Sequence, residues 1–276
     1  MSFSLRSLRI LLIAVCLSAA VTSASAGQLV VSGCSVSNSG YLNALAKEYE
    51  RKTGTHIFVR GGGSILGISE LRGEKIDFAA SCKSKDASDP ADFEFLPVAW
   101  DALVFIVHKS NPLGNITPDE VRRIYEGTLD NWRQLGGSDA VIQSFVTRPQ
   151  DMGGIGEALS TYILGGKPIT LQPNSIVMAS SSAVREQMVE TSIVGFASSG
   201  FASARKRNVK MLSVNGVAPT KENIISGKYP FRRRLYLVYS RATNNPEVKR
   251  FIDYALSNEG QKFISSQGIP SLLEVK

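Results

Sequence analysis

The sequence predicts an α/β fold, with helices covering both faces of parallel strands. Three patterns carry that expectation. Short apolar runs such as residues 29–31 and 57–59 read as strands, and stripes of apolar residues three and four apart read as helices. Each pair is separated by a loop bearing glycine or serine, so strand and helix alternate along the chain.

The order of elements follows from these signals. Arg6 and Arg9 precede an apolar stretch over residues 10–20, and Ala24-Ser25-Ala26 follows as a small-x-small site. That is the pattern of a secretory signal peptide cleaved near Ala26, so the mature chain is expected to begin at Gly27 in the periplasm. Cys16 lies within the leader, and Val31-Ser32-Gly33-Cys34 has lipobox character. Polar residues separate the latter from the apolar run, so a strand end entering a loop is the better reading. Leu42, Leu45, Ala46 and Tyr49 then mark a helix that Gly54 ends. Residues 56–59 read as a strand. Ile65, Ile68 and Leu71 mark a short helix up to Gly73, and residues 76–80 form the next strand. A β-rich run covers residues 98–107, interrupted by Asp101. Thr117, Pro118 and Glu120 have the spacing of a capping box with proline in the first turn, so a helix opens there with Val121, Ile124 and Tyr125 inward. Near the end, Asn245-Pro246 starts a helix with Val248, Phe251, Ile252, Ala255 and Leu256 on one face.

Bulk properties narrow the function. The full chain carries +7, and loss of the leader's two arginines leaves +5. A mild positive field favours small anions. Nucleic-acid binding calls for clustered cations with interleaved aromatics, whereas the only dense runs are 205–207 and 232–234, which read as a solvated face with structural ion pairs. His56, His108, Cys34 and Cys82 lack metal-ligand spacing, so neither a metal nor a cofactor is expected. They form no nucleophile motif either, and no enzymatic activity is expected.

Two loops look built to hold an oxyanion. Ser32-Gly33-Cys34-Ser35 follows the first strand, and Gly61-Gly62-Gly63-Ser64 follows the second. Glycine lets backbone approach a ligand closely, and a helix start offers unpaired N–H groups at the positive end of its dipole.

An ordered set of later motifs is more specific. ITPDEVRRIYEG (116–127) leads into NWRQLGG (131–137), followed by VGFA (194–197), GVAPT (216–220), GKYPFRR (227–233), LSNEGQKFI (256–264) and GIP (268–270). Together they resemble the phosphate-binding substrate-binding proteins of ABC transporters, over nearly the whole mature chain. The resemblance implies a two-lobed type II periplasmic-binding-protein fold, with a cleft between lobes joined by two crossing strands near residues 98–105 and 229–237. Lobe one would be 27–102 plus 231–276, and lobe two 103–230. It further implies a monomer that hands phosphate or a similar oxyanion to a membrane permease.

By motif position, the resemblance makes Ser35 the first-loop hydroxyl, Val36 the adjacent amide and Ser64 the second-loop donor. Arg148 would supply a charge-assisted fork, although its local sequence equally allows a structural salt bridge. The family's Ser-Gly-Thr is Met152-Gly153-Gly154 here, which keeps amides and loses both hydroxyls. The third strand ends in Ser81-Cys82-Lys83, so a thiol replaces a carboxylate or guanidinium, and Lys83 is expected to keep positive charge near the cleft. Weaker phosphate binding or another preferred oxyanion follows. The alternative is the same fold with anion binding altered or lost, acting as an envelope interaction or sensory protein. Cys34 and Cys82 both fall at ligand loops, as a disulfide at the cleft rim or as two packed thiols.

Overall fold

The computed structural model describes residues 27–148, 151, 153–178 and 181–275. The leader, with Arg6, Arg9 and Cys16, and the loop residue Met152 lie outside the described residues.

Strand β1 (Gln28–Gly33) runs into a helical stretch made of α1 (Ser35–Ser37), a π-helical turn (Asn38–Leu42) and α2 (Asn43–Thr53). Gly54 stops it with φ 77°, the left-handed conformation that glycine adopts without a side-chain clash. β2 (His56–Arg60), α3 (Ser64–Arg72) and β3 (Phe78–Ser81) follow. Strand β4 (Phe93–His108) is much longer than its neighbours. The second half contains β5 (Asn115–Ile116), α4 (Pro118–Tyr125), β6 (Gln143–Thr147), α5 (Gly153–Tyr162), β7 (Ser175–Met178), α6 (Ser182–Thr191), β8 (Gly195–Gly200), α7 (Phe201–Ala204), β9 (Val209–Met211), β10 (Ser213–Val214) and α8 (Lys221–Ile225). The chain returns through β11 (Arg232–Ser240) and closes with α9 (Pro246–Leu256) and α10 (Asn258–Ser266).

The capping box forms as expected: Thr117 Oγ1 accepts from the Glu120 amide at 3.2 Å, and the Thr117 amide donates to Glu120 Oε2 at 2.7 Å. Val121, Ile124 and Tyr125 are buried, as are Val248, Phe251, Ile252 and Ala255. Two details differ from expectation. Ile65 is 40% exposed, because α3 turns Ile68 and Leu71 inward instead. The sheet is mixed rather than parallel. Its order is β2-β1-β3-β11-β4-β8-β6-β7, with β9 also on β4, and β11 runs antiparallel to both β3 and β4. Antiparallel returns are what two long strands need to pass between halves of one sheet.

β4 makes that passage. Its first part, Phe93 to Ala102, pairs with β11, and from Leu103 to Val107 it pairs with β8. The core is continuous across it, with Ala102, Leu103, Val104 and Phe105 fully buried.

Candidate functional site

β1 and β3 end side by side, with Gly33 opposite Ala80. The Cys34 amide donates to Ala80 O at 2.8 Å, which fixes the loop that launches the first helix. Gly33 has φ 137°, and a Cβ there would stand 2.1 Å from Ala80 O, so only glycine fits.

Four helix starts converge beyond these strand ends. The Ser182 amide at the start of α6 donates to Ser35 Oγ at 3.2 Å, joining α6 to α1. Gly153 at the start of α5 lies against Ser64 at the start of α3. Gly154 comes so close to the β3 end that a Cβ would be 1.6 Å from Cys82 O. The positive ends of these helices sum in one place, which favours an anion there.

Ser35 and Ser64 open α1 and α3 at this point. Ser35 is buried, and its own O–H donates to no partner among the described residues. Ser64 Oγ accepts from the Cys82 amide at 3.0 Å and lies 3.4 Å from Cys82 Sγ. Val36 is fully buried beside Gly200.

Arg148 is not brought to this point. Its side chain is 64% exposed and pairs with Asp151 at 2.8 Å, the structural salt bridge that its sequence also allowed. Lys83 is the second correction. It turns into its own loop, where Nζ pairs with Asp89 at 2.7 Å and Asp86 at 2.9 Å and donates to Ser84 O at 2.8 Å. Two carboxylates neutralise it, so it adds no free charge to the site.

The cations at the site are two arginines the sequence reading did not choose. Arg233 is buried on β11 and stands opposite Asp101 on β4. Its Nη2 and Nε donate to Asp101 Oδ2 at 2.7 and 3.0 Å, while Asp101 Oδ1 accepts from the Ala202 amide at 2.8 Å. Burial opposes the Arg233 charge, but Cys82 and Asp101 outweigh it and hold the guanidinium more firmly protonated than usual.

Arg185 on α6 is 1% exposed. It donates to Ser182 Oγ at 3.1 Å, to Ser198 O at 3.4 Å and to Thr147 Oγ1. No carboxylate comes within ion-pair distance of it among the described residues; its neighbour Glu186 is taken by Ser199, Ser203 and Arg207. Burial accordingly pulls the Arg185 pKa down. An uncompensated buried charge is costly, and such charges are normally paired.

Cys34 and Cys82 are brought together at the centre, as free thiols rather than as a bridge. Burial, and then the neighbouring Cys82, raise the Cys34 pKa strongly. Cys82 is lowered to about 6, first by the Cys34 hydrogen bond and then by the Arg233 charge and Ser64, against its burial and Asp101. No group of metal-ligating side chains occurs among the described residues.

The family model described as a PBP superfamily domain matches residues 18–259. The chain belongs to that superfamily. Among curated relatives, the phosphate-binding protein PstS of Borreliella burgdorferi is 29% identical over 250 residues, covering 87% of this chain and 89% of that protein. PstS of Bacillus subtilis is 27% identical over 257 residues, covering 91% and 83%. A solved phosphate ABC transporter substrate-binding protein with bound phosphate, from Clostridium perfringens, aligns with a TM-score of 0.79 at 25% identity, over 89% of this chain and all of that one. The shikimate-bound effector domain of QuiR shares the fold at TM-score 0.57 and 18% identity, over 84% and 96%. The architecture alone therefore does not select the ligand.

Proposed function

We propose that this chain is an extracytoplasmic solute-binding protein that captures a small oxyanion, phosphate first, for an ABC transporter. The observation that carries this reading is Arg185: a guanidinium buried among helix starts, with no carboxylate to neutralise it among the described residues. A bound anion supplies the missing counter-charge. Ser35 adds a free hydroxyl and Ser64 a hydroxyl anchored on the Cys82 amide, while the starts of α3, α5 and α6 add dipoles and amides. Arg233, already paired, orients Asp101 and raises the local potential.

The two lobes in this reading are 27–102 with 231–276, and 103–230. The change of β4 partner between Ala102 and Leu103 supports the boundary. Ser35 and Ser64 then come from lobe one and Arg185 and Gly154 from lobe two, so capture and closure are one event. The seat of Gly154 against Cys82 O brings the two lobes of this reading into contact. The leader pattern supports export, with Ala26 as the last residue removed.

Met152 and Gly154 stand where the resemblance expects hydroxyls, which favours weaker phosphate binding or another tetrahedral oxyanion. Each hydrogen bond to a charged group contributes roughly 1.5–3 kcal/mol. Calorimetric titration of the mature protein with phosphate, sulfate and molybdate decides the matter. Saturable heat with one of them supports the reading. No heat with any of them, at a protein concentration that detects millimolar binding, leaves the fold in an interaction or sensory role.

A further inference from the structure

A cavity of about 260 Å³ lies between α5 and β11, beside the anion centre. Strand alternation decides which side chains enter it. Arg233 turns inward to Asp101, so Arg232 and Arg234 share the opposite face of β11. Trp100 stands on that face too, because β4 sets it opposite Arg234. Both guanidiniums lie over its ring, at 5.5 and 5.0 Å from the centroid. Stacking on the indole holds the planar forks in place. Neither fork is within ion-pair distance of a carboxylate among the described residues, although both line the cavity.

The remaining wall is aromatic. Tyr162 of α5 and Tyr236 of β11 line it, and their rings are braced by Phe231 at 5.3 Å and Phe95 at 6.2 Å between centroids. The acidic side chain in the lining, Glu157 on α5, is already engaged: its Oε2 accepts from the Ser84 amide at 3.0 Å. Two unneutralised guanidiniums beside a wall of rings call for a carboxylate on a small apolar body, bound through charge-assisted hydrogen bonds. A bare oxyanion satisfies the forks and leaves the rings uncovered, and a neutral aromatic does the reverse. The cavity lies just below the ~300 Å³ at which drug-sized pockets begin, so the apolar body is about one ring.

We propose that this cavity is a second ligand site, for a small aromatic carboxylate, and that its occupancy strengthens anion capture in the neighbouring centre. The coupling rests on the two-lobe anion-binding reading above.

The coupling follows from which lobe supplies each wall. In that reading α5 belongs to 103–230, whereas β11, Trp100 and Ser84 belong to the other lobe. Two contacts already join these walls: the Ser84–Glu157 bond, and the Tyr162 hydroxyl, which donates to Arg232 O at 2.6 Å. Gly154 and Cys82, whose contact joins the lobes at the anion centre, are part of the same lining. A carboxylate held by β11 with its ring against α5 therefore binds the arrangement in which the lobes touch. That arrangement also gathers Ser35, Ser64 and Arg185 around the anion. Two ligands that favour one state of the same equilibrium raise each other's affinity by the same factor.

The test is calorimetric titration of the mature protein with sodium benzoate, without and with saturating inorganic phosphate, beside titrations with benzamide and with acetate. The expected result is saturable benzoate binding that phosphate tightens by about tenfold. Benzamide, which keeps the ring, and acetate, which keeps the carboxylate, should each bind at least about tenfold more weakly. The Arg232→Gln/Arg234→Gln double variant should lose benzoate binding and keep wild-type phosphate affinity, which also shows that it is folded. No saturable benzoate heat at millimolar concentrations overturns the proposal. Benzoate binding undiminished in the double variant, or matched by benzamide, overturns it as well. Benzoate binding weakened by phosphate marks competition for the anion centre and has the same meaning. Benzoate affinity that phosphate leaves unmoved overturns the coupling. Phosphate heat in no sample overturns the anion-binding reading instead, and the benzoate titration of the double variant then still decides whether the cavity is a ligand site.

Discussion

Arg233 and Arg185 are both buried guanidiniums, yet their surroundings differ. Arg233 lies in the crossing strands, directly opposite Asp101, and is paired at 2.7 Å. Arg185 lies on a helix of the other half and is held by hydroxyl and carbonyl oxygens only. The first arrangement is complete within the protein. The second leaves a charge that the protein solvates but does not neutralise. Removing one partner of a buried pair leaves a stranded charge, whereas replacing an unpaired charge by an apolar side chain relieves one. Substitution should therefore separate architecture from binding.

The largest effect is expected at the completed pair. Asp101→Asn strands Arg233 and should lower the unfolding free energy by about 3–5 kcal/mol in urea denaturation. A change below about 1 kcal/mol would mean that water or another group compensates Arg233. Arg185→Met comes next and acts on a different observable. It should weaken phosphate binding by about two orders of magnitude through loss of charged hydrogen bonds, while unliganded stability holds or rises. Equal losses of stability and affinity would place Arg185 in the same class as Arg233.

A smaller effect, titrating rather than mutational, belongs to the thiol between them. The folded Cys82 value of about 6 lies below its ordinary value near 9.0, so its contribution to stability is full above the ordinary value and lost as pH falls through the folded one. Reduced wild type should gain stability over Cys82→Ser as pH rises between about 6 and 9. Unfolding curves at several pH values check the sign; a flat difference would show that Cys82 stays protonated. The smallest effect is expected at Arg148. Its exposed pair with Asp151 is worth less than about 1 kcal/mol, so Arg148→Ala should leave both affinity and melting temperature nearly unchanged.

These contrasts also show what a sequence can convey. The α/β alternation, the capping box at Thr117 and the serine starts of the first and third helices are local signals, and local residues satisfy them. The two arginines are not local facts. Arg233 is the middle of three consecutive arginines, a run that reads as a solvated face until strand alternation is applied. On β11 the outer two stay accessible over Trp100, and the middle one turns inward. Asp101, the lone charge in an apolar run, was its visible counterpart, but only strand register connects them across 132 positions. Arg185 carried no such signal. Its neighbours make an ordinary helix, and its importance comes from Thr147 and Ser198 on other strands. Arg148 and Lys83 misled for the complementary reason. Each has an acidic residue three positions on, Asp151 and Asp86, and that short-range pair occupies its charge.

The most direct test is a paired calorimetric titration with inorganic phosphate of the mature wild-type protein and of Arg185→Met. Saturable binding by wild type, reduced by roughly a hundredfold in a variant of unchanged melting temperature, is the predicted result. Undiminished binding by a folded Arg185→Met protein would contradict the claim that this buried charge is what the anion neutralises.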